Sequence, residues 1–371
     1  MFNVLFIDDD NFMLRALVRL ARRLRPDWRF WAEEDASCWA RAVDADVSFD
    51  LVICDYLMPT VNGDKVLAEV AEAHPAAIRA LLTGDISEDV ICSSAKIAHF
   101  VLSKPFNEHD ILQLFKCVEL AQALPVSREA KAMLGSSALL MPLPDIVKKV
   151  QAVLQDENCD AADIVNAVQR EPLLAAKLLQ LANSAFMGFS RSTLSLEEAI
   201  KRLGLKLTAA VITSIAMEQA SIDMLDSALH SKISTLGLEV ANCARQLCNT
   251  LGFSRDIQDE LFVTALLSVI GQLITSSRQW QQEYATHYRD WSSAKLESVV
   301  SSYMLTLWGY SEKIIQAVYH SAAPDFSCSE DNFALLLYLA RQQAVNQGPL
   351  PVTVVHSLSD GVFKDILSKQ V

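Results

Sequence analysis

Along the first 120 residues the apolar positions follow two periods. Short, mainly apolar runs at 3–7, 49–54, 78–82 and 97–102 have strand length, which predicts strands covered on both sides. A weaker strand fits 28–32. Between these runs, 12–23, 65–73 and 108–120 carry apolar residues at helical spacing. Strands alternating with helices, joined by right-handed crossovers, predict an α/β doubly wound five-stranded parallel sheet. From about Ala121 the pattern changes. Ala123-Leu-Pro-Val-Ser127 ends the last helix, and a segment rich in Ala, Ser and Gly runs to Leu140. After Met141-Pro-Leu-Pro144, helical spacing continues nearly to the end, with Pro172 where a first helical turn accepts it. Only 352–355 reads as a further strand. The expected organisation is a sheet domain at 1–122, a linker at 123–138, an all-α helical bundle at 139–335 and a C-terminal helical extension at 336–371. The stretch 355–371 fits a docking helix or a frayed end.

Composition narrows the function. At roughly 150 residues per domain, 371 residues give two or three domains, and 51% apolar with 21% charged residues is an ordinary globular balance. Eleven Gly and eleven Pro exclude collagen-like or linker-like character over most of the length. The net charge of -13 is spread over both halves: 12 basic against 20 acidic residues in 1–124, and 20 against 25 in 125–371. Neither half is a basic field, so electrostatic capture of nucleic acid or an anionic membrane is not expected. Eight cysteines without a C-x-x-C pair predict reduced, buried thiols and a cytoplasmic location. No signal peptide is expected at the start. The apolar stretch 261–277 contains Thr, Ser, Gly and Gln and predicts a core helix in place of a membrane span.

The candidate chemistry lies where the predicted strands end. The first runs into Asp8-Asp9-Asp10, another into Asp55; Thr83 follows Ala80-Leu81-Leu82, and Lys104-Pro105 follows Val101-Leu102-Ser103. In an open parallel sheet these ends share one edge, where ligands bind at the switch in strand order. Asp8, Asp9, Asp55, Thr83 and Lys104 are therefore predicted around one pocket. Three close carboxylates suit a hard dication with retained waters, and Mg²⁺ fits that description. Such a pocket can bring a phosphoryl group to Asp55 as nucleophile, with Lys104 as a fixed cation and Thr83 as a hydroxyl for its oxygens.

Ile7-Asp-Asp-Asp10, Asp55-Tyr-Leu-Met-Pro59 with Gly63, Leu82-Thr83-Gly84 and Lys104-Pro-Phe106 together resemble a response-regulator receiver domain over 1–122. The resemblance implies a flavodoxin-like fold in which Asp55 accepts phosphate from a sensor histidine kinase or phosphotransfer protein. It implies further that Asp8 and Asp9 hold Mg²⁺ with Asp55, and that Thr83 and Lys104 read the phosphoryl group. Two positions depart from the pattern. The family's switch aromatic stands three residues before the Lys, where this chain has Val101; Phe100 comes one residue early and faces the other side of the sheet. Leu57, two residues past Asp55, cannot orient an attacking water, which predicts a long-lived phosphoryl-aspartate.

The second half resembles the HDOD output domain, an HD-like helical fold related to metal phosphohydrolases. Leu143-Pro144, Glu171-Pro-Leu173, Leu178-Leu-Gln-Leu-Ala-Asn-Ser-Ala185 and Leu194-Ser-Leu-Glu-Glu-Ala-Ile200 with Leu203-Gly204 carry the likeness, followed by Trp308-Gly309 and His320. Where active relatives place a His-Asp pair, this chain reads Ala265-Leu-Leu-Ser268-Val269-Ile-Gly271, which supplies neither imidazole nor carboxylate. His230, His287, His320 and His356 lack metal-ligand spacing. The one His-Asp dipeptide, His109-Asp110, follows Asn107 and reads as the capped start of a receiver helix. No metal is expected in the HDOD domain, and G-x-S-x-G, Walker and G-x-G-x-x-G motifs are missing.

The resulting expectation is a phosphorelay response regulator, not an enzyme, in which phosphorylation controls binding of a protein target by a catalytically degenerate HDOD domain. A phosphorylation-dependent homodimer is compatible with that scheme. Two alternatives stand beside it: an HD-type cyclic-nucleotide phosphodiesterase using another metal site, and a phosphate sink for a shared kinase.

Overall fold

The computed structural model describes residues 2–40, 47–84, 97–134, 145–154, 159–168, 174–175, 178–179, 182, 193, 195–220, 225–283, 285–327, 332–358 and 364. Two compact units result: Met1–Asp145 with Leu305–Tyr310, and Ile146–Met304 with Ser311–Val371.

The first unit holds β1 (Asn3–Ile7), α1 (Asn11–Leu24), β2 (Arg29–Glu33), β3 (Leu51–Asp55), α2 (Gly63–Ala73), β4 (Ile78–Thr83), β5 (Phe100–Ser103), α3 (Glu108–Ala123) and α4 (Arg128–Leu134). All adjacent strands pair parallel in the order β2-β1-β3-β4-β5. The interior strands β3 and β4 are buried throughout and β1 nearly so, which explains their mainly apolar composition, whereas edge strand β2 is partly exposed. On one face Val66, Leu67 and Val70 of α2 pack with Leu5, Ile7, Val52 and Leu81. Helix α1 buries Leu14, Leu17 and Ala21 at helical spacing while its arginines at 15, 19, 22 and 23 stay in solvent. Residues 128–134, inside the segment expected as linker, form a helix instead.

The second unit is helical among the described residues: α5 (Asp145–Leu154), α6 (Ala161–Val168), α7 (Leu196–Leu203), α8 (Leu205–Ala220), α9 (Ser227–Thr250), α10 (Arg255–Leu267), α11 (Ile270–Thr275), α12 (Arg278–Glu283), α13 (Ser293–Leu307), α14 (Glu312–His320), α15 (Phe333–Asn346) and α16 (Val352–Ser357). The long helix α9 packs against both α10 and α15. Gly204 separates α7 from α8 at φ +79°, a left-handed position that a Cβ disfavours. The stretch Arg255–Thr275 is long and apolar enough to cross a membrane, but 72% of its apolar window is buried inside the protein. It acts as a core element, broken between α10 and α11.

The strand expected at 352–355 is a helix. Pro351 occupies its N-cap, and its carbonyl accepts the N–H groups of Val354 and Val355. Val355 and Leu358 turn inward at i, i+3 spacing while Val352 is half exposed, so tertiary burial overrides the β-branched run.

Candidate functional site

β1 and β3 are neighbours at the point where strand order reverses, and each ends in a carboxylate. Asp8 and Asp55 both follow the paired residues Ile7 and Cys54 by one position. Asp8 is 2% and Asp55 6% exposed, whereas Asp9 is exposed. One carboxylate oxygen from each of the three lies within 4.8 Å of the others. Asp10, next in sequence, faces a different task. It caps α1, accepting the N–H groups of Phe12 (2.8 Å) and Met13 (3.3 Å), while its own N–H donates to Asp8 Oδ1 at 2.9 Å.

β4 and β5 deliver the remaining groups. Thr83 pairs with Ser103, and the Thr83 carbonyl accepts the Lys104 N–H at 2.7 Å, so Lys104 leaves the sheet beside Thr83. Thr83 is buried at 1% exposure. Lys104 Nζ then lies 2.6 Å from Asp55 Oδ1 and 3.3 Å from Asp8 Oδ2. Below the site, Gly63 opens α2 directly against β3. Its N–H donates to the Tyr56 carbonyl at 2.9 Å, and a Cβ there would lie 2.0 Å from the Asp55 carbonyl oxygen.

Burial pushes the Asp55 carboxyl above its ordinary range and Asp8 adds to this, while the hydrogen bond and charge of Lys104 pull the other way. For Lys104 burial is the largest influence and lowers its affinity for a proton, but Asp55 and Asp8 together outweigh it and hold the ammonium above its usual value. The thiol of buried Cys54 is pushed well up by burial and by the neighbouring carboxylates. One ammonium facing three carboxylates leaves the pocket negative, and oxygen donors at this spacing fit a hard dication such as Mg²⁺.

The pocket thus brings together all five residues expected there. Val101 lies against the α2-side core with Leu81, and Phe100, one residue earlier, is half-buried. Leu57 is 61% exposed, as is Phe12 at 84%, two residues beyond the Asp10 cap. Helical periodicity places Phe12 at the start of the α1 pattern and gives no signal of its exposure. The His109-Asp110 pair is a capping box: Asn107 accepts both N–H groups, and Asp110 accepts the Asn107 N–H at 2.8 Å.

In the second unit, Ser268 and Val269 sit at the break between α10 and α11, 5% and 6% exposed. Ser301 Oγ, from α13, donates to the Ser268 carbonyl and accepts the Gly271 N–H, both at 2.7 Å, so one hydroxyl bridges the break. Val269 packs with Leu225, Ile233 and Leu273, and a Cβ on Gly237 of α9 would come within 2.9 Å of it. The segment carrying Asn183 and Ser184, and the pieces Leu143-Pro144 and Glu171-Pro-Leu173, lie outside the described residues.

The family model for the response regulator receiver domain matches residues 4–116, and that for the HDOD domain matches 140–324. A curated protein of Treponema pallidum (strain Nichols), described as uncharacterized, is 33% identical over 64 residues, 17% of this chain; the chain spans 12% of that protein's length. Similar solved structures include the signal receiver domain of an HD domain-containing protein from Pseudomonas fluorescens Pf-5, at 25% identity over 32% of this chain and 85% of that one, TM-score 0.29. Another is the chemotaxis response regulator CheY4 of Vibrio cholerae, at 22% identity over 32% and 98%, TM-score 0.29. A third is the response regulator TrrA from Thermotoga maritima in complex with Mg²⁺ and BeF, at 23% identity over 32% and 99%, TM-score 0.28. With the two family models in succession along it, the chain belongs to the response regulators that join a receiver domain to an HDOD domain.

Proposed function

We propose that in the cytoplasm Asp55 accepts a phosphoryl group from a sensor histidine kinase or phosphotransfer protein, and that the HDOD domain converts this modification into altered binding of a protein target. The observation that carries the reading is the 2.6 Å approach of Lys104 Nζ to Asp55 Oδ1 inside the three-carboxylate cluster. A nucleophilic oxygen, a fixed cation and a dication-binding pair share one pocket. Asp55 Oδ bonds to phosphorus as the bond from phosphorus to the donor imidazole nitrogen breaks; the imidazole keeps the electron pair and takes a proton from solvent. Lys104 pairs with a phosphoryl oxygen and the Thr83 hydroxyl meets another. Mg²⁺ held by Asp8, Asp9 and Asp55 supplies charge neutralisation for the phosphoryl oxygens. The modification replaces a carboxylate by an acyl phosphate of about -1.5 to -2 charges, a net addition of about -0.5 to -1 beside β4.

Ser268 and Val269 support an output by binding without hydrolysis. By the sequence resemblance they stand where active relatives carry a His-Asp pair, and their surroundings are helix packing. The test starts with full-length protein, Mg²⁺ and acetyl phosphate, followed by intact mass. One added phosphoryl group, lost in Asp55→Asn, is expected; no addition, or addition that survives the substitution, overturns the reading of the pocket. Capture from host lysate then compares beryllofluoride-loaded protein with Asp55→Asn. A partner held by one sample alone supports gated binding, and identical captures from a phosphorylatable protein favour the phosphate sink.

A further inference from the structure

The segment between the two family matches contains a docked helix. Ser127 starts α4: its Oγ accepts the Ala130 N–H at 3.2 Å and its carbonyl accepts the Lys131 N–H at 2.8 Å. Val126, Ala130 and Leu134 are buried at i, i+4, i+8. Lys131 is 6% exposed, and its Nζ donates to Gln122 Oε1 at 2.9 Å. Gln122 Nε2 donates to Asp50 Oδ1 at 2.9 Å, and Asp50 Oδ2 accepts the Asn3 N–H at 2.8 Å. This chain of contacts ties α4 to the amino ends of β1 and β3, the two strands whose other ends carry Asp8 and Asp55.

A seven-residue helix is far below the roughly 12–15 residues needed for independent stability in water, so α4 exists only while docked. The apolar stripe is short, and the buried ammonium has a neutral amide as its hydrogen-bond acceptor. Burial lowers the Lys131 ammonium against the pull of Asp50; burial also raises Asp50, opposed by the Asn3 hydrogen bond and by the charges of Arg128, the chain amino terminus and Lys131. Undocking and melting are then one event, of the kind that draws on the low-stability end of a domain's openings. Melting lengthens seven residues from about 10 Å to as much as about 25 Å.

We propose that α4 is a releasable clamp: docked, it holds residues 128–134 at helical length on the amino edge of the receiver sheet, and released, the same residues become a longer, extended segment. Residue-resolved hydrogen exchange on the full-length protein tests this. Amides 131–134 are expected to be protected, yet to open at least about tenfold more often than those of β1 and β3. Lys131→Glu, which turns a carboxylate towards Asp50, and Ala130→Leu, which wedges the stripe, should each abolish protection at 131–134. Protection in β1 and β3 should stay within about twofold of the parent, and trypsin should cut after Arg128 at least about tenfold faster. Exchange at 131–134 only in step with β1 and β3, or loss of β1 and β3 protection in both variants, overturns the proposal by making α4 part of the core. So does an unprotected 131–134 in the parent protein.

Discussion

Gly63→Ala tests the link between receiver packing and the phosphoacceptor. A Cβ at this position would sit 2.0 Å from the Asp55 carbonyl oxygen, 2.9 Å from its carbon and 3.0 Å from Leu81 Cδ1. An ordinary carbon–oxygen contact needs about 3.2 Å, leaving a deficit of roughly 1.2 Å. β3 cannot supply it, because it is paired to β1 on one side and β4 on the other, with Asp55 itself opposite Leu82. The start of α2 must recede, stretching the 2.9 Å bond from the Gly63 N–H to Tyr56 and loosening Val66, Leu67 and Val70, all at or below 1% exposure. Overpacking of this kind costs about 1–3 kcal/mol and the hydrogen bond about 1 more. At roughly 4 °C per kcal/mol for a unit of this size, the receiver transition should drop by about 10 °C. Any residual strain falls on Asp55, and a displacement near 1 Å at a reacting group can lower its rate about a hundredfold. Thermal unfolding and timed acetyl phosphate labelling are the assays. A variant that melts with the parent and labels at the parent's rate refutes the reasoning.

Ser301→Ala removes the hydroxyl between the Ser268 carbonyl and the Gly271 N–H, leaving two buried groups unpaired at a cost of about 2 kcal/mol or more; urea unfolding of the HDOD transition reads it. Leu57→Asn places an amide at an exposed position two residues past Asp55 and should speed loss of the phosphoryl group by about tenfold, while the parent holds it for minutes or longer; decay in both within seconds contradicts the expectation. His99 is half-buried, accepts the Arg79 N–H at Nδ1, and leaves its buried Nε2 without a hydrogen bond, so burial and the Arg79 charge hold it well below its ordinary 6.5. The unfolded chain takes that proton first, so receiver stability should fall as pH drops below about 6.5, by at most about 1.4 kcal/mol per pH unit. His99→Asn should flatten that slope in urea titrations. Asp55 shifts the other way: its carboxyl is raised by burial, so as pH falls protons compete with Mg²⁺ for it sooner than for an ordinary carboxylate, and Mg²⁺ affinity measured calorimetrically should weaken on acidification.

Burial on both faces made β1, β3 and β4 legible as apolar runs. The run at 97–102 gives its first residues to other work: the Ile97 carbonyl accepts Arg79 Nε, and His99 pairs back to Arg79, so β5 begins at Phe100. Pro125 and the Ser, Ala and Gly content make 123–138 look like a connector, because the contacts that fold α4 come from Asp50 and Gln122, outside the local window. The acidic pocket was readable from strand ends, where sequence position fixes spatial position. Its division of labour was not: Asp8, Asp9 and Asp10 look alike in sequence, yet one is buried against Lys104, one is exposed and one caps a helix. Ser301 had no sequence signal either, since it acts across 30 and 33 residues.

The packing around Val269 decides which side chains position 269 accepts. Val269 is lodged among Leu225, Ile233 and Leu273, hard against Gly237. A His-Asp pair at 268–269 would drive an unpaired carboxylate into that apolar nest, at a cost of several kcal/mol. Holding a metal pair there would take accommodating changes around it, at Leu225, Ile233, Gly237 and Leu273. The seat that Val269 fills therefore selects an apolar side chain of about its own size at position 269.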